Sequence, residues 1–304
     1  MRCTDWNVAS GRRVSLDPWC LMGVVNATPD SFSDGGLHLD ATRAVAHGLR
    51  LVESGASIVD VGGESTRPGA ERVAAADQID RVVPVIRGLR RELADATTAI
   101  TVDTTSAEVA AAAFDAGADA VNDVSAGLED EEMFALVAAR EVGMVLMHRL
   151  APPEEDSYSD RYETAPRYED VVADVRTVLA ARIDAAESAG ISPGAIMVDP
   201  GFGFGKTVDQ NFDLMRGIQD IASLGRPMLV GLSRKSFLGA VTGVRTPAER
   251  DLESVVATIL LGDARGLAIR VHDVAGHRRA LTLRAALDGA SPATSSDSPN
   301  RGRR

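Results

Sequence analysis

Short runs of β-branched and apolar residues alternate along this chain with alanine-rich stretches whose apolar positions recur at helical spacing. The runs at 21–26, 57–61, 99–103, 119–123, 143–148, 195–199, 227–232 and 267–272 read as strands buried on both faces, the habit of parallel sheets. Between and after them, 41–53, 74–93, 106–116, 131–141, 168–189, 209–223, 247–262 and 275–287 carry an amphipathic helical pattern. Strand then helix, eight times without interruption, predicts a single (β/α)8 TIM barrel. A doubly wound open sheet is the alternative, but it would carry a glycine fingerprint after its first strand, and Asn26 to Ser31 has none. SGASIVDVGG from Ser54 echoes AGADAVNDVS from Ala116, as a repeating unit requires.

The polar residues 1–18 predict an N-terminal extension, a short hairpin or extended piece beneath the core. Residues 19–288 then form the barrel domain, and the Ser- and Pro-rich 289–304 a disordered tail. At 304 residues and 45% hydrophobic content, the chain can bury a core of barrel size. No apolar run approaches a membrane span and the N-terminus lacks a signal-like stretch, which predicts a soluble, cytoplasmic protein. Cys3 and Cys20 are the only cysteines, which argues against a disulfide framework or thiolate metal site. A net charge of −12 argues against nucleic acid or an anionic membrane as partner. An anionic small molecule would need a local basic cluster or a divalent cation.

In such a barrel the chemistry sits on the loops after the strands, so the strand ends are read as a set. They carry Asn26, Asp103, Asn122 with Asp123, His148, Asp199, then Ser233-Arg234-Lys235, and Arg270 with His272. Singly, Asp103 and Asp199 read equally as helix caps, and Asn122 as a loop amide. Together at one mouth, two carboxylates and an amide need a partner rich in N–H donors, and the edge of a flat amino-pyrimidine heterocycle supplies it. Lys235, Arg270, His272 and Arg67 form a basic group suited to an anion. His272 is favoured over His148 as the anion ligand, because Arg270 two residues before it faces the same side of the strand. DPGFGFGK, 199–206, lacks the spacing of a phosphate loop; its glycines suit close approach to a flat ligand, with Phe202 or Phe204 as wall. After Asn26, the loop ATPDSFSDGG places Phe32 among turn residues, as a side chain folded back on the core or as part of a lid over ligand.

NATPDSFSDGG, DVGGESTRPGA, TVDTT, VNDVSAG, Met147-His148, DPGFGFGK, GLSRKSFLG and RVHDV occur in this order over 21–275. In that order they resemble the dihydropteroate synthases, folate-pathway enzymes inhibited by sulfonamides. The resemblance implies condensation of 6-hydroxymethyl-7,8-dihydropterin pyrophosphate with p-aminobenzoate to give 7,8-dihydropteroate and pyrophosphate. It implies that Asp103, Asn122, Asp199 and Lys235 hold the pterin, with Met147 packing nearby, and that Arg270 lines the ring and reaches the anion. Asn26, Arg67 and His272 match pyrophosphate contacts, Asn26 also serving Mg2+; Phe32, Thr66, Pro68, Phe204 and Ser233 match positions around the p-aminobenzoate pocket. Asp30 and Asp34 are candidates for ordering the first loop with the metal, Asp34 the better one. A homodimer is a further expectation, with 247–262 apolar enough to form an interface. A pterin-binding methyltransferase or a non-catalytic pterin-binding paralogue would share the pterin pocket but would not need the TPDSF and STRPG loops. One departure stands out: RLAPPEEDSYSDRYETAPRY, 149–168, is acidic and proline-rich, long enough for a second lid or a partner contact.

Overall fold

The computed structural model describes residues 3–27, 36–93, 97–262 and 266–289. An N-terminal hairpin pairs β1 (Asp5–Asn7) with β2 (Arg13–Ser15). The barrel then begins with β3 (Cys20–Asn26), α1 (Gly36–Glu53), β4 (Ile58–Gly62) and α2 (Ala75–Glu92). It continues through β5 (Ala99–Asp103), α3 (Ala107–Asp115), β6 (Ala120–Asp123), α4 (Met133–Arg140), β7 (Gly143–Met147) and α5 (Val171–Ser188). It closes through β8 (Ile196–Asp199), α6 (Val208–Arg216), α7 (Ile218–Ala222), β9 (Met228–Val230), α8 (Ser236–Thr242), α9 (Asp251–Leu260), β10 (Leu267–Val271) and α10 (Val274–Leu287). The strands from β3 to β10 pair in parallel and in sequence order, and β10 returns to β3, so the sheet is a closed barrel of eight.

Period-two alternation sorts each strand between two cores. Leu21, Val25, Val59, Val61, Ile100, Val102, Val121, Leu146, Val198 and Ile269 face outward and pack under the helices. Met22, Ile58, Ala99, Ala120, Val145, Met197, Leu229 and Ala268 face inward and fill the lower barrel. The expected N-terminal hairpin plugs that lower end. Trp6 is fully buried there, donates from Nε1 to the Ala195 carbonyl at 2.8 Å, and lies so close to Gly143 that any Cβ at that position would meet its ring at 2.8 Å. Asp119 anchors the hairpin by pairing with both Arg12 and Arg90.

Two elements differ from the pattern. The helix expected over 209–223 breaks at Gly217, where Val172 of α5 packs against the main chain and leaves no room for a side chain. The seven-residue α8 has no counterpart in the periodicity, being too short to show it. The expected disorder of the tail concerns residues that, apart from Gly289, lie outside the described ones.

Candidate functional site

The inward-facing residues change character towards the C-terminal ends of the strands. Above the apolar filling come Asp60 and, in register beside it, Thr101; then Asp103, Asn122, Met147, Asp199 and Arg270. These residues, except Asp60 and Thr101, line a narrow inner well together with Val24, Val124, Phe202, Phe204, Ser233, Lys235 and His272. The well opens into an outer cleft of about 800 Å3 walled by Asn26, Glu64, Thr66, Arg67, Pro68, Tyr158, Phe204, Ser233, Arg234, Lys235, Ser236 and His272. That volume suits a ligand of several rings. Asn26, Thr66, Arg67, Pro68, Asp103, Asn122, Met147, Asp199, Phe204, Ser233, Lys235, Arg270 and His272 are thus brought to one mouth. Phe32, Asp30 and Asp34 lie outside the described residues.

Neither carboxylate caps a helix; the cap of α3 is Ser106. Asp103 is buried, accepts from Arg270 Nη2 at 2.8 Å through one oxygen, and leaves Oδ1 buried without any partner. Burial pushes its carboxyl up to about 7, with Asp60, Asp123 and Glu64 adding to the rise against the pull of Arg270. Asp199 accepts from the Gly201 N–H at 2.7 Å; burial raises its pKa, and Lys235, Lys206 and Arg270 restrain the rise. Gly201 sits at φ +69°, where an added Cβ would lie 1.9 Å from the His148 carbonyl oxygen, so only glycine makes this turn. Asp123 faces away from the well and binds Ser125 and Gly127 of its own loop.

On the opposite wall, Lys235 Nζ lies 4.0 Å from the centroid of Phe204, and desolvation lowers the amine to about 8 despite the attraction of Asp199. The preceding Arg234 has φ +60°, a conformation held by its bidentate pair with Asp251 (2.7 and 2.9 Å) and by its N–H donating to Ser254 at 2.8 Å. Val124, Met147 and Phe204 form an apolar cluster beside the carboxylates. Ser233 Oγ accepts the His272 N–H and lies 2.9 Å from Nδ1 of the same residue. Burial, with Arg234, Arg270 and Arg67 nearby, pushes His272 down to about 3, so its ring is neutral in the empty cleft.

His148 does not reach the cleft. It is buried beside Tyr168, with Nδ1 3.1 Å from Lys206 Nζ, and its pKa is lowered to about 3 by desolvation and that ammonium. Lys206 is fully buried and donates to the Gly201 and Phe204 carbonyls at 2.9 Å, tying down the glycine-rich loop.

The strand-end reading passed over Asp60, because it lies inside its strand rather than at the end. Asp60 is completely buried and accepts from Thr101 Oγ1, from Asn122 Nδ2 at 3.1 Å and from Arg270 Nε at 2.7 Å. The signal was present: alternation in IVDVG puts Asp60 on the same face as Ile58, and a carboxylate facing into a barrel needs an internal partner.

The model of the pterin binding enzyme family matches residues 22–272. A dihydropteroate synthase of Mycobacterium leprae is 44% identical over 284 residues, covering 92% of this chain and 97% of the relative. The solved dihydropteroate synthase of Xanthomonas albilineans with 4-aminobenzoic acid superposes with a TM-score of 0.84 at 43% identity, over 95% of this chain and 99% of that one. The same organism's enzyme in complex with 7,8-dihydropteroate gives 0.80 at 41% identity, over 94% and 100%.

Proposed function

The chain belongs to the pterin-binding enzymes and among them to the dihydropteroate synthases, and from that premise we propose how its residues divide the work of joining dihydropterin pyrophosphate to p-aminobenzoate. The observation that carries the reading is the buried, unpartnered Oδ1 of Asp103, set in one well with Asp199 and Asn122. Buried acceptors without donors are costly, and the amino and ring N–H groups of a pterin satisfy them. Asn122 gives one amide N–H to Asp60, which fixes the amide and leaves its carbonyl and second N–H for the ligand. Val124, Met147 and Phe204 pack on the flat ring.

With the pterin in the inner well, its diphosphate extends into the outer cleft towards Asn26, Arg67 and His272. Arg270 spends two donors on Asp60 and Asp103, so in this reading it walls the ring, while Arg67, exposed and without a carboxylate partner among the described residues, carries the charge that meets the anion. Departure of pyrophosphate leaves positive charge on the pterin methylene, which the carboxylates of Asp103 and Asp199 stabilise until the arylamine attacks. No side chain has to act as nucleophile.

Mg2+ prefers one or two protein oxygens, with substrate phosphate oxygens and water completing its shell. Among the described residues no cluster of three His, Cys, Asp or Glu is placed to hold a metal, which fits an ion held by the Asn26 oxygen and the diphosphate; Asp34 is the further candidate, outside the described residues. When bound it would neutralise the leaving group. Incubation with both substrates and Mg2+ is expected to yield dihydropteroate and pyrophosphate. EDTA is expected to stop turnover and added Mg2+ to restore it, with binding of a pterin lacking the diphosphate unchanged. Turnover that survives EDTA would remove the metal from this reading.

The functional unit is a homodimer in this reading. Leu252, Val256 and Leu260 recur every four residues on α9 and are 72, 46 and 72% exposed, and Leu283 and Leu287 of α10 are also exposed. A bare stripe of this kind suits a second copy of the chain. Light scattering should give twice the mass of the 32.0 kDa chain and, for Leu252→Lys with Leu260→Lys, a monomer; a monomeric wild type would refute the assembly. Among the described residues no helix is long and apolar enough to cross a membrane. Free Cys3 and Cys20 accord with a reducing cytoplasm.

A further inference from the structure

The acidic segment after β7 is neither a free lid nor an external arm: it is strapped across the barrel mouth. Pro153, Asp156 and Ser159 are buried. The Pro153 carbonyl accepts from the Gly69 N–H at 2.7 Å, and Glu154 accepts from Arg72 Nε at 2.8 Å, which ties the strap to the loop carrying Thr66, Arg67 and Pro68. Asp156 accepts from the Gly205 N–H at 3.0 Å and so holds the loop carrying Phe204. The Ser159 N–H donates to Ser236 Oγ at 3.2 Å, and the Ser159 hydroxyl accepts from Asn211 at 3.1 Å. Between these anchors Tyr158 is half-buried and forms part of the outer cleft wall, with Arg67, Pro68, Phe204 and Ser236. The Arg161 guanidinium lies over the Tyr158 ring, 5.0 Å from its centroid, and has no carboxylate partner among the described residues.

We infer that Tyr158 is a specificity-determining residue for the second substrate, closing the outer cleft on the ring of p-aminobenzoate, with Arg161 supplying positive charge for its carboxylate end. The inference rests on p-aminobenzoate being that substrate. The pterin occupies the inner well and presents its methylene outward, so the attacking amine must point in and the carboxylate out. At that outer level the strap provides an aromatic face fixed by its cation, and Ser236, whose oxygen already accepts from the strap, has its own O–H left to donate. An arene seated against Tyr158 gains contact and loses water together.

The test is steady-state kinetics of the full chain, wild type against Tyr158→Ala, Tyr158→Phe and Arg161→Gln, with melting temperature as control. Tyr158→Ala is expected to raise KM for p-aminobenzoate about tenfold, an effect of the size a lost aromatic contact gives, while KM for the pterin diphosphate stays within about twofold. Tyr158→Phe keeps the ring and should behave as wild type. Arg161→Gln should weaken p-aminobenzoate but leave the neutral 4-aminobenzamide unaffected as a competing substrate. An unchanged p-aminobenzoate KM in Tyr158→Ala, or a parallel rise in both KM values, would overturn the inference, the latter because a slackened strap disturbs both sites. A wild type that forms no dihydropteroate would overturn the synthase reading itself.

Discussion

Replacing Asp199 by alanine is expected to weaken binding of the dihydropterin pyrophosphate by at least about a hundredfold, within the range of roughly 2–5 kcal/mol that removal of one partner from a buried charged contact costs. Asp199 lies at the end of β8 with one oxygen on the Gly201 N–H and the other left for ligand. Burial raises its pKa, and Lys235, Lys206 and Arg270 oppose that rise, so alanine removes the carboxylate that Lys235 faces in the inner well. Asp199→Asn is the sharper variant. It can still accept from Gly201, but it turns an acceptor into a donor against the pterin N–H groups, and it should lose nearly as much affinity with the fold intact. Calorimetric titration with the pterin diphosphate reads this directly. Wild-type affinity in either variant would remove Asp199 from pterin recognition.

The barrel was legible because each of its strands is a compact apolar run; β5, Ala99–Asp103, falls where the pattern alone puts it. The hairpin was legible as a short hairpin or extended piece beneath the core, but nothing local says that Trp6 is the residue that fills the barrel floor. Residues at strand ends were legible as candidates because the fold places them at one mouth, and all of those described line it except His148 and Asp123. His148 follows β7 but turns beneath the glycine-rich loop, a direction set by Lys206, 58 residues further on. The strap was illegible for the same reason: Pro153, Asp156 and Ser159 acquire meaning only from Gly69, Gly205 and Ser236, which long-range folding brings to them. Asp60 is a different case, since period two marks it as inward-facing from the sequence, and what the sequence lacks is its partners.

Those partners make Asp60→Asn the second large effect expected. One Asp60 oxygen receives both Asn122 and Arg270, and the other receives Thr101. An asparagine there can turn its NH2 to the Thr101 hydroxyl, which then accepts, and Arg270 loses one of two carboxylates; turned the other way, its NH2 meets Asn122, which flips and offers its own NH2 to the pterin. Either outcome should weaken the pterin diphosphate by roughly ten- to a hundredfold, the scale of a disturbed charged hydrogen-bond pair. A merely structural Asp60 could produce a similar loss, and pH separates the two. Asp103 is raised to about 7 by burial and by Asp60 against the pull of Arg270, so in the wild type pterin affinity is expected to be full well above pH 7 and to fall through that pH as acid protonates Asp103. The contribution of Asp103 to the apo fold moves the other way. A carboxyl whose folded pKa lies above its unfolded value takes up protons preferentially when folded, so this group's own contribution to stability rises as pH drops from 8 towards 5. His148 and His272, held neutral by burial, work against the fold on acidification, and a melting temperature taken at each pH separates lost binding from unfolding. Removing the Asp60 charge while Arg270 stays beside Asp103 lowers the Asp103 pKa, so in Asp60→Asn the acid limb of pterin binding should shift to lower pH. A weakened affinity with an unshifted limb would confine Asp60 to packing, and an unchanged affinity would show that Asn122 is oriented by the pterin alone.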